Sequence, residues 1–148
     1  MTRTISNDAD MIDSRYVIER IEELTAARTE LSDAVHDAWT ARAKRTARKA
    51  LAAWNASDDA EELRILIALA NEAEAYAADW QHGGALIRRS YFVDYIRERI
   101  HDCYALPKQF NSSEWPWRHI TFDYEAAARE AEQDYTTVDF DGVEYLIR

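Results

Sequence analysis

His101 and Cys103 are the residues here best suited to nucleophilic chemistry, because an imidazole beside a thiol can draw off its proton. Their spacing works against that role. Two positions apart on a helix, the side chains point to different faces, which leaves an ordinary helix cysteine and a solvated histidine. Asp139 and Asp141 flank Phe140; on a strand they would share a face and could offer oxygen ligands to a divalent cation. Acidic positions beside a turn are ordinarily just solvated, so no metal is assigned to them. The four histidines (His36, His82, His101, His119) form no His-x-x-x-His pair, and there is no Cys-x-x-Cys. Gly83-Gly84 is followed by neither a third glycine nor a Lys-Ser/Thr pair, so no phosphate-cradling loop is present. The sequence thus nominates no catalytic residue, no metal site and no cofactor, and reads as a non-enzyme.

Charge is the stronger signal. The 28 carboxylates outnumber the 18 Lys and Arg residues, giving a formal net charge of −10 over 148 residues. Such a field repels nucleic acid and anionic membranes and attracts basic proteins. The imbalance is not uniform: residues 1–50 carry nine acids and nine bases, whereas residues 101–148 carry ten acids and four bases. From Ile120 onward, Asp123, Glu125, Glu130, Glu132, Asp134, Asp139, Asp141 and Glu144 face only Arg129 and Arg148. These eight acids are the candidate partner-binding residues. Trp115 and Trp117, flanking Pro116, join them as a candidate anchor, with a folded-back lid on the core as the competing role.

The elements that must position these residues are mostly helices, since Gly and Pro occur only five times in all. A polar, frayed segment over residues 1–13 is expected to lead into Asp13 or Ser14 as an N-cap. Apolar residues at three-and-four spacing then run from Ser14 to about Ala53, with a break near Thr29–Asp33 or at Thr40. Lys44, Arg45, Arg48 and Lys49 suit the C-terminal end of that unit by dipole logic, or pairing with the acids that follow. Ser57 caps a second helix to Trp80, stopped by Gly83-Gly84. Residues 85–90 open a third helix, spanning about Arg89 to Cys103, with Ser90 as cap candidate. Asp123 caps a short helix over residues 124–133. Asp141-Gly142 between two β-prone runs is a strong hairpin signal, and the hairpin needs a further strand or a helix to pack on, with residues 118–122 as a candidate strand. Trp39, Trp54 and Trp80 are expected in the core or at element ends. The fold class is therefore α+β, mostly helical, with long N-terminal helices beside a small C-terminal unit ending in a β-hairpin. Residues 1–82 form a helical region and 83–148 an α+β region, separate or continuous.

A single cysteine excludes an internal disulfide and fits a reducing compartment. No apolar signal segment or membrane-length window is present, so the expectation is a cytoplasmic protein that binds neither membrane nor nucleic acid directly.

The segment Leu86–Asp102, the Trp-Pro loop, the Asp123-Tyr124-Glu125 helix with Ala128, and the Asp134–Tyr145 hairpin together resemble the ArdA-type antirestriction proteins of phages and plasmids. The likeness covers roughly residues 85–148, and more weakly Ser14–Leu24. What it implies is mimicry. ArdA-type proteins are acidic, elongated dimers whose carboxylates imitate DNA phosphates and occupy the DNA groove of type I restriction–modification enzymes. This chain departs from that pattern in its charge-balanced, helical first half and its shorter length. The leading expectation is an anti-defence inhibitor, without catalysis or cofactor, that acts in the host cytoplasm on a basic nucleic-acid-binding surface of a restriction–modification or CRISPR complex, with homodimerisation implied. The alternative is an adaptor that docks a partner through apolar and aromatic helix surface.

Overall fold

The structure is a computed structural model describing residues 5–148. Asp13 caps α1 (Ser14–Asp37), its carboxylate accepting the Arg15 backbone N–H at 2.9 Å. Helix α1 stops where Ala38 turns extended, and Thr40 then caps α2 (Ala41–Asn55) by accepting from the Ala43 N–H at 3.0 Å. The expected long unit is therefore a helical hairpin, broken at the later of the two positions considered. Ser57 caps α3 (Asp58–Glu74), whose first turn carries Asp58, Asp59 and Glu61 where a helix N-terminus favours negative charge.

Helix α3 ends six residues before the expected Trp80. The chain turns so that Trp80, 2% exposed, drops into the core. There the Trp80 carbonyl accepts from the Ser14 hydroxyl at 2.6 Å, and the Ser14 N–H donates to the Gly84 carbonyl at 2.8 Å. Gly83 closes this turn at φ 115°, a conformation that side-chain-bearing residues resist.

The expected third helix does end at Cys103, but it begins three residues after Arg89, and residues 85–88 ahead of it are not helical. Ala85–Arg88 form the strand β2, a short 3-10 turn follows, and α4 spans Phe92–Cys103 with no side-chain cap from Ser90. Leu86 and Ile87 are both almost fully buried because β2 lies inside the sheet, one on each face. Nor are residues up to 13 wholly irregular: β1 (Met11–Asp13) pairs antiparallel with β2, Ile12 opposite Leu86. The frayed start is thus wrong for 11–13, and residues 1–4 lie outside the described residues.

Asp123 caps α5 (Tyr124–Glu132), and the hairpin forms as expected from β3 (Thr136–Phe140) and β4 (Val143–Ile147). Asp141 and Gly142 both have positive φ, 47° and 83°, as a two-residue hairpin turn requires. The four strands run in the order β1-β2-β4-β3, all antiparallel. The hairpin therefore joins β2, and not residues 118–122, which hold the end of a 3-10 turn and irregular chain.

Strand alternation divides the core in two. Leu86, Val138, Phe140, Tyr145 and Ile147 meet Val17, Leu24, Leu63, Leu66 and Leu69 from α1 and α3. On the opposite face Ile87 and Leu146 meet Phe92, Ile96 and Ala128 from α4 and α5. The sheet is a shared middle layer, and the regions before and after residue 82 meet in it through β1 and β2. The class is α+β and mostly helical. Trp54 packs partly against the first core, but Trp39, expected in the core or at a packed element end, is 98% exposed.

Candidate functional site

The acidic residues nominated by sequence do not form one surface. Three of them converge. Asp139 and Glu144 are cross-strand partners on the hairpin, so their side chains share the sheet face that α5 covers farther along. Arg89, just after β2, donates from Nη1 to Glu144 at 2.9 Å and forms an ion pair from Nη2 to Glu132 of α5 at 3.0 Å. One guanidinium thereby ties helix to hairpin and leaves a net negative group. The contact with Glu144 first, and the charge of Glu132 next, hold Arg89 above its ordinary pKa. Glu125 lies on the same stripe of α5 as Glu132, since seven residues are almost two full turns.

The others scatter. Glu130 lies about 140° round the helix from Glu125. Asp123 is occupied as the α5 cap, accepting from the Ala126 N–H at 2.9 Å. Asp134 borders a cavity of about 650 Å³ between α4 and α5, with an apolar floor of Ile96, Ile100 and Phe122 and a rim carrying Arg99 and Arg148. Asp141 sits in the hairpin turn, so it does not share a strand face with Asp139, whose carboxylate instead accepts the Gly142 N–H at 3.1 Å. Asp141 borders a recess with Asp58, Glu61 and Glu62 of α3. Of these acids, Glu62 takes a two-point, partly buried pair from Arg20 at 2.9 and 2.8 Å, and Glu61 pairs with Arg64. Trp115 is 73% exposed and thus not a core lid, whereas Trp117 is half-buried.

His101 meets the Tyr124 hydroxyl at 2.7 Å through Nε2, and Cys103 is exposed. Among the described residues no three His, Cys, Asp or Glu side chains gather as a metal-holding group, and no helix is long and apolar enough to cross a membrane. Compared with known proteins, the chain matches no family model, no curated protein and no solved structure.

Sequence reasoning overlooked two groups. The acids of α3 around Asp141, and Glu72, whose carboxylate lies 3.4 Å from the Asp139 N–H, extend the negative surface from the hairpin onto the N-terminal helices. Asp58, Asp59 and Glu61 were legible as first-turn acids, but their proximity to the hairpin turn arises only from the packing of α3. The second group is α2. Because the chain breaks at Ala38–Thr40, the basic cluster Lys44–Lys49 lies in the middle of its own helix, with no base in the last turn, and not at a helix C-terminus as expected.

Proposed function

We propose that the protein is a non-enzymatic anti-defence inhibitor that presents acidic surface to the basic, nucleic-acid-binding groove of a host restriction–modification or CRISPR complex in the cytoplasm. The observation that carries this reading is the juxtaposition of Asp139 and Glu144 on a rigid hairpin. Like charges directly opposite on a sheet oppose folding, and Arg89 offsets them only in part while holding Glu132 nearby. A cationic partner relieves that repulsion, which makes the arrangement useful to binding though unhelpful to stability. The likeness of residues 85–148 to ArdA-type proteins supports the same reading and favours a DNA-binding target.

The test is inhibition of a purified type I restriction enzyme by the wild-type chain and by the Glu125→Lys, Glu130→Lys, Asp139→Lys variant. These three acids have no ion-pair partner among the described residues. The inhibitor reading requires stoichiometric inhibition that rises as salt falls and is lost in the variant.

A second reading, an adaptor docking through aromatic surface, is favoured by one observation. Between α4 and α5 the chain exposes Tyr104, Phe110, Trp115, Ile120 and Phe122 within one connecting segment. A Trp115→Ala, Phe122→Ser variant that loses partner binding while the charge variant retains it would select the adaptor.

A further inference from the structure

Beyond the acidic surface, one part of the molecule has the opposite chemistry. Helix α2 carries Arg42, Lys44, Arg45, Arg48 and Lys49 and no acid at all. With the whole chain at −10, these five positive charges leave −15 on everything else. Among the described residues none of the five takes part in an ion pair. Arg42 and Lys44 lie in the first turn, where the backbone dipole disfavours cations, so their placement does not serve the helix itself.

Helix α2 packs on the distal half of α1, and its last turn reaches the core through Trp54. The buried residues of α1 are Ser14, Val17 and Leu24, all in its first half, and α2 has none. From Leu24 to Asp37 the arm runs about 20 Å at 1.5 Å per residue. Its α1 half carries Glu30, Asp33 and Asp37, of which Asp37 borders a recess with Arg42, while Arg45, Arg48 and Lys49 border neither that recess nor the acidic one along α1. At the tip, between the two helices, stands Trp39, 98% exposed.

The outward arc of α2 indicates what could cover it. At 100° per residue, Arg42, Arg45 and Lys49 fall within about 60° of one another, Arg48 flanks them, and the half-buried Ala47, Leu51 and Trp54 occupy the opposite side. Between the cations lie only Ala41, Thr46, Ala52 and Ala53. Beyond Trp39 at the tip, a protein partner would find no apolar anchor on this arc, and a lipid surface no further insertable group, since Leu51 and Trp54 are turned away from it. A nucleic-acid strand needs neither: closely spaced cations for successive phosphates and one free aromatic face for a base suffice. We propose that the α1–α2 arm binds single-stranded nucleic acid, with Arg42, Arg45 and Lys49 on the phosphates and a base stacked on Trp39.

The experiment is fluorescence anisotropy of a labelled 20-nucleotide DNA strand with the full chain at 50 and 200 mM salt. Three to five phosphate contacts predict weakening of about 18- to 130-fold across that range. Arg42→Ala, Arg45→Ala, Lys49→Ala should abolish binding while leaving the far-ultraviolet circular dichroism unchanged, and Trp39→Ala should weaken it by about 5- to 150-fold. Asp139→Asn, Glu144→Gln should bind the strand at least as well as wild type, which separates this proposal from the acidic-surface reading. No binding at 50 mM salt, a triple variant that binds normally, or capture by phosphatidylserine vesicles in place of the strand would each overturn it.

Discussion

Asp139 and Glu144 face each other across the terminal hairpin, two exposed carboxylates in register on the same side of the sheet. Among the described residues, only Glu144 of the two has a cationic partner, Arg89. Removing the Asp139 charge should therefore stabilise the fold. Asp139→Asn keeps an oxygen that can accept the Gly142 N–H, and should raise the unfolding free energy by roughly 0.2–1 kcal/mol in low salt. Urea titrations at 50 mM and 1 M NaCl should show that gain shrinking with screening. A loss of stability would mean that the two charges do not repel.

Tyr145, fully buried in β4, donates its hydroxyl to the Ala9 carbonyl at 2.6 Å and so fixes the segment ahead of β1. Tyr145→Phe should cost about 1 kcal/mol. Burial also raises the pKa of this phenol above its ordinary value of 10.0. The folded state then holds its proton more tightly than the unfolded chain, so the stability contributed is fully present below pH 10 and declines as pH rises through the shifted value. Thermal melts from pH 8 to 11 should show a decline that is shallower in Tyr145→Phe.

Asp13 shows the opposite sign. Its hydrogen bond from the Arg15 side chain lowers its pKa below 3.8, burial opposing. Its contribution is therefore present above about pH 4 and lost as pH falls through the lowered value. Asp13→Ala should cost about 0.5–2 kcal/mol at pH 7 by removing the α1 cap, with the difference from wild type narrowing toward pH 2. A difference that stays constant with pH would show that the charge is immaterial.

Leu66 has no exposed surface and lies where α3 meets the sheet. Leu66→Ala should cost about 2–5 kcal/mol, while Trp39→Ala, at a fully exposed tip, should leave the melting temperature unchanged. A large loss from Trp39→Ala would place that tryptophan in a packed interface.

The parts legible in the sequence were those with local signatures. Asp13, Ser57 and Asp123 act as caps, and Asp141-Gly142 makes its turn through short-range chemistry that needs no tertiary partner. Ala85–Arg88 was misread because a four-residue run buried on both faces has neither helical nor strand periodicity. Met11–Asp13 was invisible because a three-residue strand exists only through its pairing with β2. For the acidic surface, sequence supplied the residues but not their grouping. Glu132 and Glu144 meet because Arg89 spans α5 and β4, Asp141 joins the α3 acids, and Asp134 faces elsewhere, all consequences of packing.

The central claim is tested most directly by titrating a fixed amount of type I restriction enzyme with the purified protein and following cleavage. The inhibitor reading predicts an end point near one protein per binding site, weaker inhibition at higher salt, and none from the Glu125→Lys, Glu130→Lys, Asp139→Lys variant at equal melting temperature. Inhibition far below one molecule per target, or full inhibition by that variant, would contradict it.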